Sequence, residues 1–589
     1  MCGIYGAIGS NFSLDEHIIN LNKLKHRGPD NQSYFYENNV FLGHTRLSIL
    51  DTTENANQPF IDDENVLVYN GEIYNFLELK NEFLKGQKFT TNSDTEVLFY
   101  LLKKCGERII AELNGMFAFA FFNKTNHKLL LARDTLGIKP LYYINDRNLL
   151  LFSSEIKSLP YKVDLNKVKE FILLKTYQNG YLPFQDIREF PTGHYAIFDA
   201  LNSKFEVLKY NKIDDIPKKE IFIGYKKNSS NLNFQILDDL INKSIDIHLR
   251  SDVKLGALCS GGVDSSLISA IASKINPQIE LYHAGVEGHG GEEKYAEIVS
   301  KHLKKDIIFF KVSEENYWKV FPYVTYISDL PIYHPNDVSL YYIAQRAHEN
   351  GVKVLLSGEG ADELFGGYTW HQVLIKRKKL FNFYDKHPLL NKILKVLLFK
   401  YTKNGLNTMN VYEYCNFMPL GLGFSSINTE TLSKAAMFIS NDFRNWERWQ
   451  NHLEIYKDFD KGDRNFGLSI IFNNLYGHLG SILHRTDRIL MANSIEGRVP
   501  YLENNIIKFA LNLPFNYKIN KTIGKFILKK VAEKYLPKKV IYRKKEGFPV
   551  PWSRYIGKIE KIFENGFIVE LTDLSPKYLK LYYENDVFL

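Results

Sequence analysis

Two different periodicities divide this chain, and no single core can serve both. Up to about residue 210, apolar residues fall in short runs bounded by Asn, Asp and Gly; beyond about residue 233, short apolar runs alternate with helical patterns. A length of 589 residues also exceeds what one hydrophobic core supports. In the first part, residues 40–50, 65–69, 116–122, 128–132 and 149–153 are β-branched, aromatic or apolar and read as strands. Helices are expected over 75–84 and after Asp94, where Val97, Leu98, Leu101 and Leu102 share a face. This pattern describes an α+β sandwich. In the second part, a helix is expected over 234–249, strands over 255–259, 280–285 and 353–356, and a helix from about Ser265. Strand–helix alternation predicts a doubly wound parallel sheet with ligands at the carboxyl ends of its strands. The polar, aperiodic stretch 211–233 reads as a linker, and residues 370–480 read as helical additions.

Composition narrows the function classes. The net charge of +8 arises from 75 Lys and Arg spread among 67 acids, so no basic face for nucleic acid is expected. No apolar run reaches the ~18 residues of a membrane span. Cys2, Cys105, Cys259 and Cys415 lie far apart without a CxxC pair, which excludes a paired-cysteine zinc or redox motif and fits a reducing cytoplasm. The basic, partly apolar stretch 376–400 reads as a basic helix face packed on the second part of the chain, with a membrane-surface helix as the alternative, and the tail 556–589 has no functional reading.

Cys2 is the first chemical signal. Removal of Met1 would leave a thiol and a free α-amine on one carbon, a nucleophile with its own base. Four further segments accompany it: His26-Arg27-Gly28-Pro29-Asp30, Arg46-Leu47-Ser48-Ile49, Tyr69-Asn70-Gly71-Glu72-Ile73-Tyr74-Asn75, and Ser93-Asp94-Thr95-Glu96, which begins a helix with a cap. In this order they resemble the class II glutamine amidotransferase domain, an N-terminal nucleophile sandwich, over residues 2–210. The resemblance implies that Cys2 is the nucleophile and that Asn70 with the backbone of Gly71 forms the oxyanion hole. It implies that Arg46 binds the α-carboxylate of glutamine and Asp94 its α-amine, with Glu72 also in the glutamine site. The residue types suit the task. Amide hydrolysis needs donors for a tetrahedral oxyanion, and a free amino acid needs one cation and one anion as handles.

The second signal is Leu258-Cys259-Ser260-Gly261-Gly262-Val263-Asp264-Ser265-Ser266, which follows a strand and opens a helix. Small residues let backbone N–H groups face a phosphate at the positive helix end. The string lacks GxxxxGK[ST], so it is not the ordinary P-loop. It resembles the pyrophosphate loop of enzymes that split ATP into AMP and pyrophosphate. A carboxylate in an anion-binding loop needs an intervening cation, which makes Asp264 a magnesium candidate. A second glycine turn, Ser357-Gly358-Glu359-Gly360-Ala361-Asp362-Glu363, follows the strand at Val354.

Together with Asp487-Arg488, the stretch Met491 through Pro500, Lys525 and Arg543 through Phe548, these motifs resemble glutamine-hydrolysing asparagine synthetases. The synthetase domain is expected over 234–555. Here the resemblance implies a second magnesium ligand at Asp362 and a nucleotide pocket of Leu258, Ser260, Gly261, Gly262, Asp264, Ser265, Ser357 and Gly358. It places Glu359 beside the amino acceptor and Lys525 against the α-phosphate and pyrophosphate. Glu496 and Arg498 are expected to form a structural ion pair. The implied reaction uses glutamine, ATP and magnesium to amidate a carboxylate through an acyl-adenylate. The acceptor is aspartate or another carboxylate, such as a uronic acid of surface polysaccharide synthesis, with residues 329–337 shaping its pocket. A non-enzymatic binding subunit would be expected to have lost Cys2, Asp264, Asp362 or Lys525, and all four are present. A homodimer is expected by resemblance alone.

Overall fold

The computed structural model describes residues 2–9, 12–164, 167, 182–211, 230–288, 291–330, 332, 334, 336–368, 371, 471, 475, 478–520 and 523–544. The expected helices over 370–480 lie almost wholly outside these residues, as do most of the linker, the basic stretch 376–400 and the tail 556–589.

Twelve strands make up the first part: β1 Gly3–Ile8, β2 Asn31–Glu37, β3 Val40–Arg46, β4 Phe60–Ile61, β5 Asn65–Ile73, β6 Gly115–Asn123, β7 Lys128–Arg133, β8 Tyr142–Asp146, β9 Leu149–Ser153, β10 Arg188–Glu189, β11 His194–Asp199 and β12 Lys204–Lys209. They form two six-stranded sheets, ordered β10-β8-β9-β1-β3-β2 and β12-β11-β7-β6-β5-β4. The pairings within both sheets are antiparallel. Ile4, Ile8 and Leu42 of one sheet pack on Val66, Val68, Ala118 and Ala120 of the other, giving one interleaved core. Among the described residues, three helices flank the sheets: α1 Leu14–Asn22, α2 Phe76–Phe83 and α3 Asp94–Cys105. This is the α+β sandwich expected from the strand pattern.

The second part opens with α4 Ser230–His248, which starts inside the expected linker. Five strands, β13 Leu255–Leu258, β14 Glu280–Val286, β15 Ile307–Val312, β16 Val354–Leu356 and β17 Glu496–Arg498, form a sheet ordered β15-β14-β13-β16-β17. Its pairings are parallel. Among the described residues, the helices that follow include α5 Val263–Ile275, α6 Glu293–Leu303, α7 Glu314–Ile327, α8 Asp337–Glu349, α9 Ala361–Phe365 and α10 Leu479–Met491. Apolar residues from both faces of the sheet are buried, in two clusters around Ala257 and Leu281 and around Tyr282 and Leu355. Strands covered on both faces carry continuous apolar runs, which is why Leu255–Leu258 and Val354–Leu356 do not alternate. The strand order reverses at β13, between β14 and β16. The two glycine turns leave the adjacent strands β13 and β16, so their loops converge at the carboxyl edge.

Candidate active sites

Cys2 immediately precedes β1 and lies in a cleft with Arg46, Gln58, Tyr69, Gly71, Glu72, Ser93 and Asp94. The cleft follows from strand placement. β1 pairs with β3, which puts Arg46 at the strand end beside Cys2, and β5 brings Asn70 and Gly71 across from the other sheet. The backbone nitrogen of Cys2 donates to Asn70 Oδ1 at 3.0 Å. That bond fixes the side-chain amide, so Nδ2 points the other way; it is buried and has no hydrogen-bond partner. Gly71 lies within β5. A Cβ there would stand 2.1 Å from the carbonyl oxygen of Met116, so only glycine lets β5 and β6 approach this closely. Burial pushes the Cys2 thiol above its ordinary pKa, although Arg46 opposes this.

Asp94 is the first residue of α3, whose N-cap is Ser93 accepting from the Glu96 nitrogen. Tyr69 Oη donates to Asp94 Oδ2 at 2.8 Å and the Ile73 nitrogen at 2.9 Å. Burial outweighs these bonds and raises the Asp94 carboxyl to about 6. Arg46 lines the cleft with its guanidinium donating to the carbonyls of Thr53 (2.7 Å), Leu50 (3.4 Å) and Asp51, and to Asn57 Oδ1 at 2.8 Å. These acceptors hold the cation in place. Glu72 borders the cleft and also pairs with Arg498 Nη2 at 3.1 Å. Burial, with Glu496 and Asp94 nearby, raises its carboxyl well above the usual range despite Arg498.

In the other half, Gly262 is the N-cap of α5 and Gly261 has φ +73°, the left-handed turn that strand-to-helix reversal requires here. Ser265 Oγ accepts from the Ser260 nitrogen at 3.1 Å and meets Ser260 Oγ at 2.9 Å, tying the loop to the first turn of the helix. The second glycine turn packs against it: a Cβ on Gly358 would lie 2.9 Å from the Ser265 nitrogen. Ser357 continues from β16 and donates its N–H to the Arg498 carbonyl at 2.8 Å. Lys525 Nζ stands between the turns, 2.5 Å from Asp264 Oδ2 and 2.7 Å from Asp362 Oδ1. Despite burial, the two carboxylates raise the lysine above its ordinary pKa. One cation thus already bridges these acids. Gly367 leaves room for the group: a Cβ there would fall 1.7 Å from Asp362 Oδ1 and 2.3 Å from Lys525 Cε. Two carboxylates converging beside an anion-binding loop are the donor set magnesium takes with phosphate. Glu359 Oε1 accepts from Thr486 Oγ1 and Arg485 Nη2, each at 3.2 Å. Arg543 donates Nε to the Gly261 carbonyl at 2.9 Å and pairs with Glu292 at 2.5 Å.

Buried charges to which the motifs assigned no joining role connect the two halves. Arg27 is fully buried; its Nε donates to the Cys2 carbonyl at 3.0 Å, and Nη1 reaches Glu155 and Asp487 at 2.8 Å each. Arg488 pairs with Glu155 at 2.7 Å and with Asp329 at 3.4 Å, and Lys157 pairs with Asp329 at 2.8 Å. Burial opposes ionisation of Glu155, yet His26, Lys157 and Arg488 hold its carboxyl well below the usual range. Glu496 and Arg498 form the expected ion pair at 2.6 Å, and Arg498 extends it to Glu72. The sequence carried one sign of this: Asp487 and Arg488 interrupt an apolar helical face that resumes with Ile489-Leu490-Met491.

The same two-part plan appears in the comparisons with known proteins. A family model described as asparagine synthase matches residues 236–565, and one described as a glutamine amidotransferase domain matches residues 1–210. The chain is 33% identical over 579 residues to glutamine-hydrolyzing asparagine synthetase 1 of Bacillus subtilis (strain 168), covering 94% of this chain and 88% of that protein. A putative glutamine-hydrolyzing asparagine synthetase of Mycobacterium bovis is 30% identical over 566 residues, covering 90% of this chain and 83% of its own. With family models matching each half and relatives that match across both, this chain belongs to the glutamine-hydrolysing asparagine synthetase family.

Proposed function

We propose that this chain transfers the amide nitrogen of glutamine to aspartate, driven by cleavage of ATP to AMP and pyrophosphate. The observation that carries the glutaminase half is the Asn70 amide: its oxygen is taken by the Cys2 nitrogen, and its Nδ2 is left buried without a partner. A buried donor with no acceptor is costly in the resting protein. It is repaid where an oxyanion forms, and Asn70 and Gly71 would stabilise the tetrahedral intermediate.

In this reading Met1 is removed and Cys2 attacks the glutamine side-chain amide. The raised thiol pKa makes a base necessary, and the liberated α-amine supplies it. Arg46 holds the α-carboxylate of glutamine, while Asp94, with Glu72 beside it, holds the α-ammonium. The thioester is hydrolysed and ammonia passes inside the protein, because at neutral pH outside it would be protonated and unreactive. In the second half, the backbone of Ser260, Gly261 and Gly262 and the hydroxyl of Ser265 hold phosphate oxygens. Leu258, Ser357 and Gly358 line the nucleotide pocket. Asp264 and Asp362 would hold magnesium, which neutralises phosphate charge when bound. Lys525, already between these acids, places its ammonium where negative charge develops as pyrophosphate leaves. Glu359 faces the acceptor. Aspartate as acceptor is supported by the names of the relatives that match most of the chain. The domains are read as 2–210 and 234–555. The free thiols Cys2, Cys105 and Cys259 fit a cytoplasmic setting.

The test is mass spectrometry of the protein with glutamine, MgATP and aspartate. Asparagine, AMP and pyrophosphate in equal amounts are expected. AMP formed only with a sugar acid would retain the mechanism and reject aspartate.

A further inference from the structure

The acceptor side of the synthetase half contains an acid that the glutamine and ATP chemistry leaves unused. Asp337 is the first residue of α8 and only 4% exposed. Its Oδ1 has no hydrogen-bond partner among the described residues. Arg485 Nε stands 3.9 Å from that oxygen, too far for a hydrogen bond. The rest of the guanidinium is committed elsewhere: Nη2 to Glu359 Oε1 at 3.2 Å and Nη1 to Asn336 Oδ1 at 3.3 Å. Glu359 repeats the pattern, since its Oε2 is also buried without a hydrogen-bond partner. Two carboxylates therefore flank one guanidinium, each keeping an oxygen that lacks a donor.

Buried carboxylate oxygens of this kind call for N–H or O–H donors from a ligand. The charge balance says which. Arg485 offsets one acid, and burial drives the Asp337 carboxyl up to about 7 because Arg485 only partly compensates. A second cation would complete the cluster, and an ammonium brings three donors as well as the charge. Glu359 belongs to the same glycine turn as Asp362, so this cluster lies next to the site assigned to the reacting phosphate. A ligand group held here therefore belongs to the molecule whose carboxylate is activated.

We infer that Asp337, together with Glu359, receives an ammonium group of the acceptor, making Asp337 a specificity-determining residue for amino dicarboxylates. The inference rests on the proposed amidation of a carboxylate and adds the residue that selects among carboxylates. The test uses the full chain with glutamine and MgATP, comparing the wild type with Asp337→Asn and Asp337→Ser. The acceptors are aspartate, succinate (no amine), malate (a hydroxyl instead) and galacturonate, and AMP release is the readout. In both variants KM for aspartate is expected to rise at least tenfold, with a smaller change in kcat, while preference for aspartate over succinate falls by the same factor. Glutamate release from glutamine and KM for ATP are expected to stay unchanged, which a merely structural role would not allow. Undiminished preference for aspartate over succinate in folded variants would overturn the inference. So would a rise in KM for ammonium, supplied in place of glutamine, with KM for aspartate unaltered. A wild type that accepts galacturonate and refuses aspartate would overturn the ammonium assignment but keep the amidotransferase reading. A wild type that forms AMP with none of the four would refute the proposed amidation of these acceptors and take the inference with it.

Discussion

Replacing Asn70 isolates the oxyanion hole from the rest of the protein. The side chain makes one hydrogen bond, Oδ1 to the Cys2 nitrogen at 3.0 Å, and buries one orphaned donor, Nδ2. In Asn70→Ala, loss of the orphan relieves roughly 1–3 kcal/mol of desolvation cost. Loss of the hydrogen bond removes about 1 kcal/mol and strands the Cys2 nitrogen at a similar desolvation cost. These effects oppose each other, so folding stability is expected to move by no more than about 1–2 kcal/mol. Catalysis has no such compensation. Removing one oxyanion donor lowers kcat by roughly 10²–10³, about 3–4 kcal/mol of barrier. The assay is glutamate release from glutamine, with thermal unfolding on the same samples and AMP formation with ammonium as nitrogen source. The expected result is a glutaminase loss of at least a hundredfold, near-native stability, and ammonium-dependent activity within twofold of wild type. A folded Asn70→Ala protein that hydrolyses glutamine within fivefold of wild type would refute the oxyanion assignment. Equal losses with glutamine and ammonium would refute the separation of the two sites.

In the proposed reading Asp94, with its carboxyl raised to about 6, would bind the α-ammonium of glutamine only when ionised. KM for glutamine is therefore expected to climb as pH falls through 6 and to level off above 7, whereas Asp94→Asn has a high KM at every pH. A wild-type KM flat from pH 5 to 8 would reject the assignment. The same shift acts on stability with the opposite sense: the folded state holds this proton more tightly, so its contribution weakens as pH rises from the unfolded value toward 6 and is constant above. Lys525→Ala is expected to lower acceptor-dependent AMP formation by about a hundredfold or more while leaving glutamine hydrolysis intact, read by pyrophosphate release. Unchanged pyrophosphate release would remove Lys525 from the chemistry. Asp487→Asn leaves the buried Arg27 and Arg488 short of one negative charge, and about 3–5 kcal/mol of destabilisation is expected in denaturant unfolding. A loss below 1 kcal/mol would show that the cluster is relaxed by groups other than those named.

Local features of the fold were legible where the chain encodes them locally. The Ser-Gly-Gly and Ser-Gly-Glu-Gly turns follow apolar runs and precede helices, and α5 and α9 begin there. Ser93 was readable as a cap because a small hydroxyl residue precedes acids and a helical apolar pattern. Asn70-Gly71 is a dipeptide that ordinarily marks a turn. Here β5 runs on to Ile73, and the glycine serves close approach to β6, a tertiary demand absent from the local pattern. The Arg46 environment was out of reach for a similar reason: its acceptors are mostly backbone carbonyls, whose direction no residue type announces. Glu72 was readable as a neighbour of the nucleophile, but its ion pair comes from Arg498, in the other half of the molecule.

The long-range charges decide how the two sites relate. Arg27 holds the Cys2 carbonyl with Nε and Asp487 with both Nη atoms, and these residues are 460 positions apart. Asp487 lies in α10 directly after Thr486 and Arg485, which hold Glu359. Arg498 repeats the arrangement, touching Glu72 of the nucleophile cleft through its side chain and Ser357 of the second glycine turn through its carbonyl. Two independent rigid paths therefore connect the cleft that would release ammonia to the turn that would position its acceptor. Each uses fully buried arginine, whose planar fork loses little freedom on pairing and whose charge does not titrate near neutrality. Such pairs add little net stability compared with apolar packing, but they penalise misalignment strongly, because a displaced half leaves charge buried and unpaired. In the proposed reading, two sites that pass a small reactive intermediate would need fixed registration more than extra stability. A buried ionic seam between the β-sandwich and the parallel sheet provides that registration.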